Sequence, residues 1–466
     1  MKLKVGPVRG VRPDGKVCFT GFGELDKPDQ IAAWRYRRQG RQWSQTYAKA
    51  MTVPFDTEHP QLGKIKDVKD YAALIEIDAN VHGPYQLQFG YYKGELDDKD
   101  RISFDDFPVV NYKISNHNRN TAKFWMMSCN YWAYLWGWKL WYKASDEIYR
   151  VINSNQEEVD AIVHTGDFVY ADSLRLLNQC EKYDGFSELY RLTMQRPHCA
   201  EALSKYPFFQ AADDHEVSNN LDIQGTLDTM MTQAGLAAFH TYQAMHSPGF
   251  TRAPHDPKHC YAFKINGQDA FMLGTRLDRK GGNIIRPRDM AILKRWLETD
   301  KNKNKLIFST VTMFPRFLNE SYSGDNWNGF PGQRDELLTF IDEKRISKVT
   351  FMAGDVHFHL YTGLKTPNGM KIFGIISSST HWPYPRDPWW TTHVFETDED
   401  WKEPDSLLGK EYIPGFRYCL ASSCYRQNAA AHVTTHANGN VGVKLISDED
   451  VQINLNDRAG TLLERN

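Results

Sequence analysis

Four apolar runs end in clusters of potential metal ligands, and no other feature restricts the fold of this chain as tightly. "AKFWMMSCN" (122–130) ends in Cys129 and Asn130. "AIVHTGDFVYAD" (161–172) ends in Asp167, with Tyr170 and Asp172 just beyond. "FFQAADDHEVSNN" (208–220) runs into two aspartates, a histidine, a glutamate and two asparagines, and "VTFMAGDVHFH" (349–359) delivers Asp355, His357 and His359. Runs that are apolar on both faces and alternate with helical stretches read as strands of a sheet covered on both sides, an α/β layer arrangement. In such sheets ligands bind in the crevice outside the carboxyl ends of the strands. All four endings are expected at one such edge.

Helices are expected from about Ser145 to Val159, around 187–204, through 226–246, at 287–299 and at 332–344. A hairpin over 429–446, turning at Asn438-Gly439, closes this part. Residues 1 to about 115 have a different texture: short alternating segments such as "GKVCFTGFG" and "YQLQFGYYKG", separated by Gly, Pro and Asp turns. That pattern predicts a small all-β sandwich. With 466 residues the chain exceeds what one core usually supports. The expected division is an N-terminal β-sandwich over 1–118 and an α/β domain over 119–466.

A formal charge of −2 argues against a nucleic-acid partner, and no run is long and apolar enough for a transmembrane segment. The N-terminus has two lysines but no apolar core after them, so it does not read as a signal peptide. A cytoplasmic protein is expected, or an extracellular or periplasmic one whose leader has been removed. Seven cysteines do not suggest a disulfide framework; Cys419 and Cys424 read as core thiols, with pairing as the alternative. The aromatic stretches 131–142 and 381–390 serve packing or line a groove.

The two Gly-Asp junctions, Gly166-Asp167 and Gly354-Asp355, carry the chemistry. Glycine lets the chain leave a buried strand abruptly, and the carboxylate that follows can bridge two ions. A ligand set of thiolate, carboxylate, imidazole and phenolate suits iron or zinc at one position, and an oxygen-rich second position suits calcium, magnesium or manganese. Singly, each feature has a plainer reading. Cys129 is a buried thiol, His357 and His359 are hydrogen-bonded strand residues, and Asp213 or Glu216 caps the next helix. Together these readings require four coincidences at one sheet edge.

The elements "SCN" (128–130), "GDFVY" (166–170), "DDHEVSNN" (213–220), "LGTRLDR" (273–279), "DNWNGFPGQRDELL" (325–338) and "GDVHFH" (354–359) resemble the PhoD-type alkaline phosphatases/phosphodiesterases of the calcineurin-like metallophosphoesterase superfamily. The resemblance spans about 121–380. It implies an α/β metallophosphatase fold, two packed β-sheets flanked by helices, preceded by the all-β sandwich. It also implies a dinuclear centre of Fe(3+) with Ca(2+), or with Zn, Mn or Mg at the second site. Cys129, Asp167 and Tyr170 match the iron ligands, Asp167 also bridging. His357 falls on the first metal and Asp355 on the second, and Asp214 is a further metal ligand and a catalytic candidate. Asn219 or Asn220 supplies an amide oxygen to the second metal. His215 matches the acid near the leaving group, and Arg276 and Arg279 match basic positions near the phosphate. Three departures stand out: Gly274 where an acid usually supports the arginine, Asn328 in place of a second aspartate, and the additional His359.

The function expected is metal-dependent hydrolysis of a phosphate-ester substrate, monoester or diester. In a variant reading the substrate is a lipid or nucleotide diester gripped by Trp382, Trp389 and Trp390. The remaining reading is a non-catalytic binding protein that retains the fold, against which the complete ligand set argues.

Overall fold

The computed structural model describes residues 2–12, 16–24, 31–50, 58–59, 63–64, 70–77, 82–92, 102–104, 109–114, 120–135, 138–173, 180–221, 229–249, 258–315, 324–383, 407–453 and 462–464. Trp389, Trp390 and the expected helical residues 226–228 lie outside them.

In the first 114 residues all described elements are strands. Lys2–Val11, Val17–Glu24 and Asp70–Ile77 form one antiparallel sheet, and Ile31–Arg38, Tyr47–Ala50, Gly83–Tyr92 and Val109–Ile114 belong to another. Phe19 and Ile75 from the first meet Trp34, Leu87, Phe89 and Tyr112 from the second in a common apolar core. The other face of the first sheet is not exposed. Val5, Val8, Cys18 and Leu74 join a core with helical residues further along the chain.

From Thr121 onward two larger sheets pack face to face. In one, Thr121–Met127, Ala161–His164 and Phe208–Gln210 run parallel, and the hairpin of Ala429–His436 and Val441–Ser447 is added antiparallel beside the first of them. In the other, Gln268–Leu273, Lys305–Ser309, Val349–Ala353 and Lys371–Ser377 run parallel at the centre of an eight-stranded sheet. Phe124, Met126, Val163 and Phe209 interleave with Phe263, Met272, Phe308 and Ile375 to fill the space between. Each such side chain contributes about 1.5–3 kcal/mol on burial. Helices cover both outer faces: Glu147–Ser154, Tyr183–Met194, Pro197–Lys205 and Met230–Phe239 on the first sheet, Pro287–Glu298 and Pro331–Glu343 on the second. The four ligand-bearing strands therefore do not share one sheet edge, as the sequence pattern suggested. Three belong to the first sheet and Val349–Ala353 to the second, and the edges meet because the sheets stack.

Three helical stretches differ from what their periodicity predicts, and the one expected from about Ser145 to Val159 runs only over Glu147–Ser154. The 187–204 stretch is two helices, broken where Pro197 restarts the chain at N1. At the break Arg196 is buried, donating from Nε to Thr193 O at 3.0 Å and from Nη1 to Ser145 O at 3.0 Å. The helix opening at Met230 is capped by Thr229, whose Oγ accepts from Thr232 N–H, and it widens into a π-turn over His240–Ala244. Cys419 and Cys424 are half-buried and not joined by a disulfide. No described helix is long and apolar enough to cross a membrane.

Candidate active site

The parallel strands of the first sheet end in register, Met127 beside His164 and His164 beside Gln210. Beyond them the exits continue to bond to one another. Cys129 N–H donates to Gly166 O at 3.2 Å, and Asn130 N–H to Asp167 O at 3.0 Å. The second sheet is stitched on by Thr380 N–H, which donates to Ser128 O at 2.9 Å. A Cβ on Gly354 would lie 2.3 Å from Ser128 Oγ, so glycine is what lets the two sheets close here. Four residues at these exits adopt left-handed backbone: Cys129 (φ 54°), Asp167 (57°), Asp355 (75°) and His357 (56°). Such conformations cost about 1–3 kcal/mol each and concentrate where function requires them. Here each turns its side chain into the crevice.

Asp167 is common to three groups of possible ligands. Cys129, Asp167 and His357 form one; Asp167, Asp213, Asp214 and Asp355 a second; Asp167, Asp214 and His215 a third. Within each, one ligand atom per residue lies within 4.8 Å of the others. Cys129 Sγ donates to Asp167 Oδ2 at 3.3 Å, and Tyr170 O–H donates to the same oxygen at 3.2 Å. The Tyr170 hydroxyl is also 3.3 Å from His357 Nε2.

The electrostatics call for cations. Burial, reinforced by neighbouring carboxylates, pushes Asp167 and Asp355 well above the usual carboxylate range, and burial lifts Asp213 to about 6. Burial also raises the Cys129 thiol and the Tyr170 phenol far above their ordinary values. Burial alone would raise Asp214 too, but Arg276 and His215 outweigh it and hold that carboxyl at about 2. One guanidinium serves most of the acids: Arg276 Nε donates to Asp213 Oδ1 at 2.6 Å, Nη1 bonds Asp325, and Nη2 lies 3.5 Å from Asp355 Oδ1 and 3.8 Å from Asp214 Oδ1. Asp213 Oδ2 and Asp214 Oδ1 are buried and accept no hydrogen bond among the described residues. Bound cations reverse this situation, favouring the ionised form of each ligand. Thiol, phenol and imidazole on one side of Asp167, carboxylates on the other, suit a softer and a harder ion respectively.

Cys129, Asp167, Tyr170, Asp214, His215, Asp355 and His357 thus converge. His215 Nδ1–H donates to Asp172 Oδ1 at 2.7 Å, and its ring stacks on Tyr170 with centroids 4.3 Å apart. Burial would lower its pKa, but Asp214, Asp172 and Asp167 raise it well above the ordinary imidazole value. Asn219 and Asn220 are exposed at the rim, and their backbone N–H groups point inward, to Asp172 Oδ2 at 2.6 Å and to Asp214 Oδ2 respectively. Arg276 is fully buried. The acid lacking at Gly274 is replaced from a distance by Asp213 and Asp325, while His259 fills the space a side chain at Gly274 would need. Arg279 also binds Asp325, at 2.6 Å. His359 faces away, with Nε2 3.2 Å from Gln427 O and Nδ1 3.3 Å from Ser377 Oγ.

Asp213, Glu216 and Asp325 belong to the site, although the sequence offered the first two only as members of a ligand cluster or as helix caps and the third only as part of a family-like element. Neither Asp213 nor Glu216 caps the next described helix, a position Thr229 holds. Glu216 is sealed inside and accepts the backbone N–H groups of Asp167, Phe168 and Asp213. The density of acids in "DDHE" was the signal for the first two; for Asp325 it was the element "DNWNGFPGQRDELL", which says nothing of its partners 46 and 49 residues away. Both aromatic stretches reach the site. Trp382 lies against His357 with ring centroids 3.8 Å apart and meets Tyr131, which in turn touches Tyr170 and Trp141.

A family model described as PhoD-like phosphatase matches residues 124–387, more than half of the chain. Alkaline phosphatase D of Bacillus subtilis (strain 168) is 24% identical over 268 residues, which make up 47% of this chain and 45% of that protein, so the likeness spans less than half of the curated relative. The solved structure of PhoD superposes with a TM-score of 0.66 at 15% identity, covering 97% of this chain and 88% of the other. A purple acid phosphatase from yellow lupin (Lupinus luteus) seeds gives 0.60 at 11% identity, covering 96% and 72%. At those identities the two structures speak for the metallophosphoesterase fold alone, and the family model decides the relationship: the chain belongs to the PhoD-like phosphatases.

Proposed function

We propose that this protein hydrolyses phosphate esters at a dinuclear metal centre. Cys129, Tyr170 and His357 would hold one ion, Asp214, Asp355 and Asn219 the other, and Asp167 would join them. The observation that carries this reading is the sharing of Asp167 between a thiol–imidazole group and a carboxylate group in one buried crevice. The donor set favours a ferric-type ion on the sulfur side and calcium on the oxygen side, with zinc, manganese or magnesium as alternatives there. Bound, the ions supply an activated water at neutral pH and positive charge beside the phosphate oxygens.

The chain's own residues do the rest. His215, aligned by Asp172, donates a proton to the leaving oxygen. Arg276 places its positive charge among Asp213, Asp214, Asp325 and Asp355; being sealed from solvent, it acts by positioning these carboxylates more than by gripping substrate. Residues 1–118 form the β-sandwich domain, residues 119–466 the catalytic one. The wall of Tyr131, Trp141 and Trp382 favours a second reading of the same chemistry, in which the ester carries a large organic group, as lipid or nucleotide diesters do.

Elemental analysis of untreated protein together with rates on a chromogenic monoester and diester tests the proposal. Two metals per chain and hydrolysis of at least one ester are expected, with the rate ratio ranking the two readings. A metal-replete protein inert to both esters is a binding protein, and the proposal ends there.

A further inference from the structure

Glu216 is a buried carboxylate that the proposed chemistry does not use, and every hydrogen bond it makes among the described residues is one it accepts. Oε1 accepts Phe168 N–H at 2.8 Å; Oε2 accepts Asp213 N–H at 2.9 Å and Asp167 N–H at 3.2 Å. A fourth donor is fixed from behind. Gln243 Oε1 accepts the Tyr190 hydroxyl at 2.7 Å, so its Nε2 is turned toward Gln210 Oε1 at 2.9 Å and Glu216 Oε1 at 3.4 Å. Gln210 in turn bonds His246 across 3.0 Å, and the His246 backbone abuts Gly10 of the first N-terminal sheet.

Only an acceptor-only group satisfies this ring. Glutamine has the same shape but would place an NH2 against at least one backbone N–H, leaving buried donors opposed. Aspartate falls one methylene short. The three backbone amides belong to two of the loops that carry the site. Asp167 is the left-handed residue shared by all three ligand groups, and Asp213 anchors Arg276. One side chain therefore spans the exits of two adjacent strands.

We propose that Glu216 is a positioning residue for the metal centre. It holds Asp167 in its left-handed conformation and fixes the Asp167 and Asp213 loops at one separation, by accepting their amides on a single carboxylate. The inference rests on the dinuclear reading of the site, and it concerns geometry that exists before any ion binds.

The test uses the full chain, stripped of metal, as wild type and E216Q. Equilibrium dialysis against Zn(2+) should show binding about 10–100-fold weaker in E216Q, the loss typical when a group supporting a ligand is removed. Hydrogen exchange by mass spectrometry should accelerate at least tenfold in peptides spanning 161–170 and 208–216, with Pro331–Glu343 unchanged. Once reloaded, the variant should lose kcat with little change in KM. Zinc binding and exchange equal to wild type would overturn the proposal. If E216Q does not fold, the wild type decides: the Asp167, Phe168 and Asp213 amides must exchange as slowly as the strands beside them, and loop-like rates overturn it. A wild-type protein that binds no zinc and hydrolyses no ester would instead sink the dinuclear reading, while its exchange pattern still judges the hold of Glu216.

Discussion

Asp167 concentrates the site in one residue: a left-handed backbone, a buried carboxylate raised well above its usual pKa, and contacts to Cys129, Tyr170 and the amide of His215. Asp167→Ala should remove metal and activity together, read by elemental analysis beside an ester assay; an active, metal-free variant contradicts the proposed role. Tyr170 offers an optical probe. A phenolate on a ferric ion gives visible charge-transfer absorption, so Tyr170→Phe should bleach the protein without emptying it of iron, and a colourless iron-replete wild type would exclude Tyr170 as a ligand. His215 stands outside that set. His215→Ala should keep both metals and lose about 10²–10⁴-fold in rate, most for poor leaving groups; an equal loss across leaving groups would assign it to binding.

Between elements, the decisive contact is where the second sheet touches the first. Gly354 leaves its strand against Ser128 and Thr165, with less than 3 Å to spare for a Cβ. Gly354→Ala should destabilise the protein by about 1–3 kcal/mol, the usual cost of overpacking. It should also lower metal content, because the exit carrying Asp355 and His357 would be displaced from the one carrying Cys129. Denaturant unfolding and metal analysis check both effects, and unchanged values would show that the sheets adjust without the site noticing. Elements were legible in the sequence where pattern alone forms them. Continuous apolar runs such as Val349–Ala353 became buried strands, and Pro287 and Pro331 open helices close to where the periodicity starts. The 187–204 helix was misread because Pro197 outweighs a continuing apolar stripe, and the π-turn at His240–Ala244 is packing that no local rule specifies.

Across the whole molecule, burial holds four imidazoles neutral: His164, His240 and His246 are lowered to about 3 and His432 to about 4. The unfolded chain takes up these protons near pH 6.5 and the folded one does not, so their contribution is complete above that pH and is lost as pH falls toward 4. Among the described residues, neither ring nitrogen of His164 is hydrogen-bonded. His164→Leu should therefore flatten the fall of stability between pH 6 and 5 by about 1 kcal/mol per pH unit, measured by urea unfolding at fixed metal content. An unaltered slope would mean that His164 is protonated in the folded state.

The sequence by itself determined which residue types could bind metal and which strands would deliver them, because burial on both faces and abrupt Gly-Asp exits are local properties. It also determined the family, through motifs that need no partner to be read. Tertiary structure alone decided that the ligands come from two stacked sheets, that Asp213 and Asp325 replace the missing support for Arg276, and that Glu216 ties two loops together. All of these contacts but the one from Asp213 to Glu216 join residues tens of positions apart or on separate sheets, and only the close packing of the core brings them within hydrogen-bonding distance.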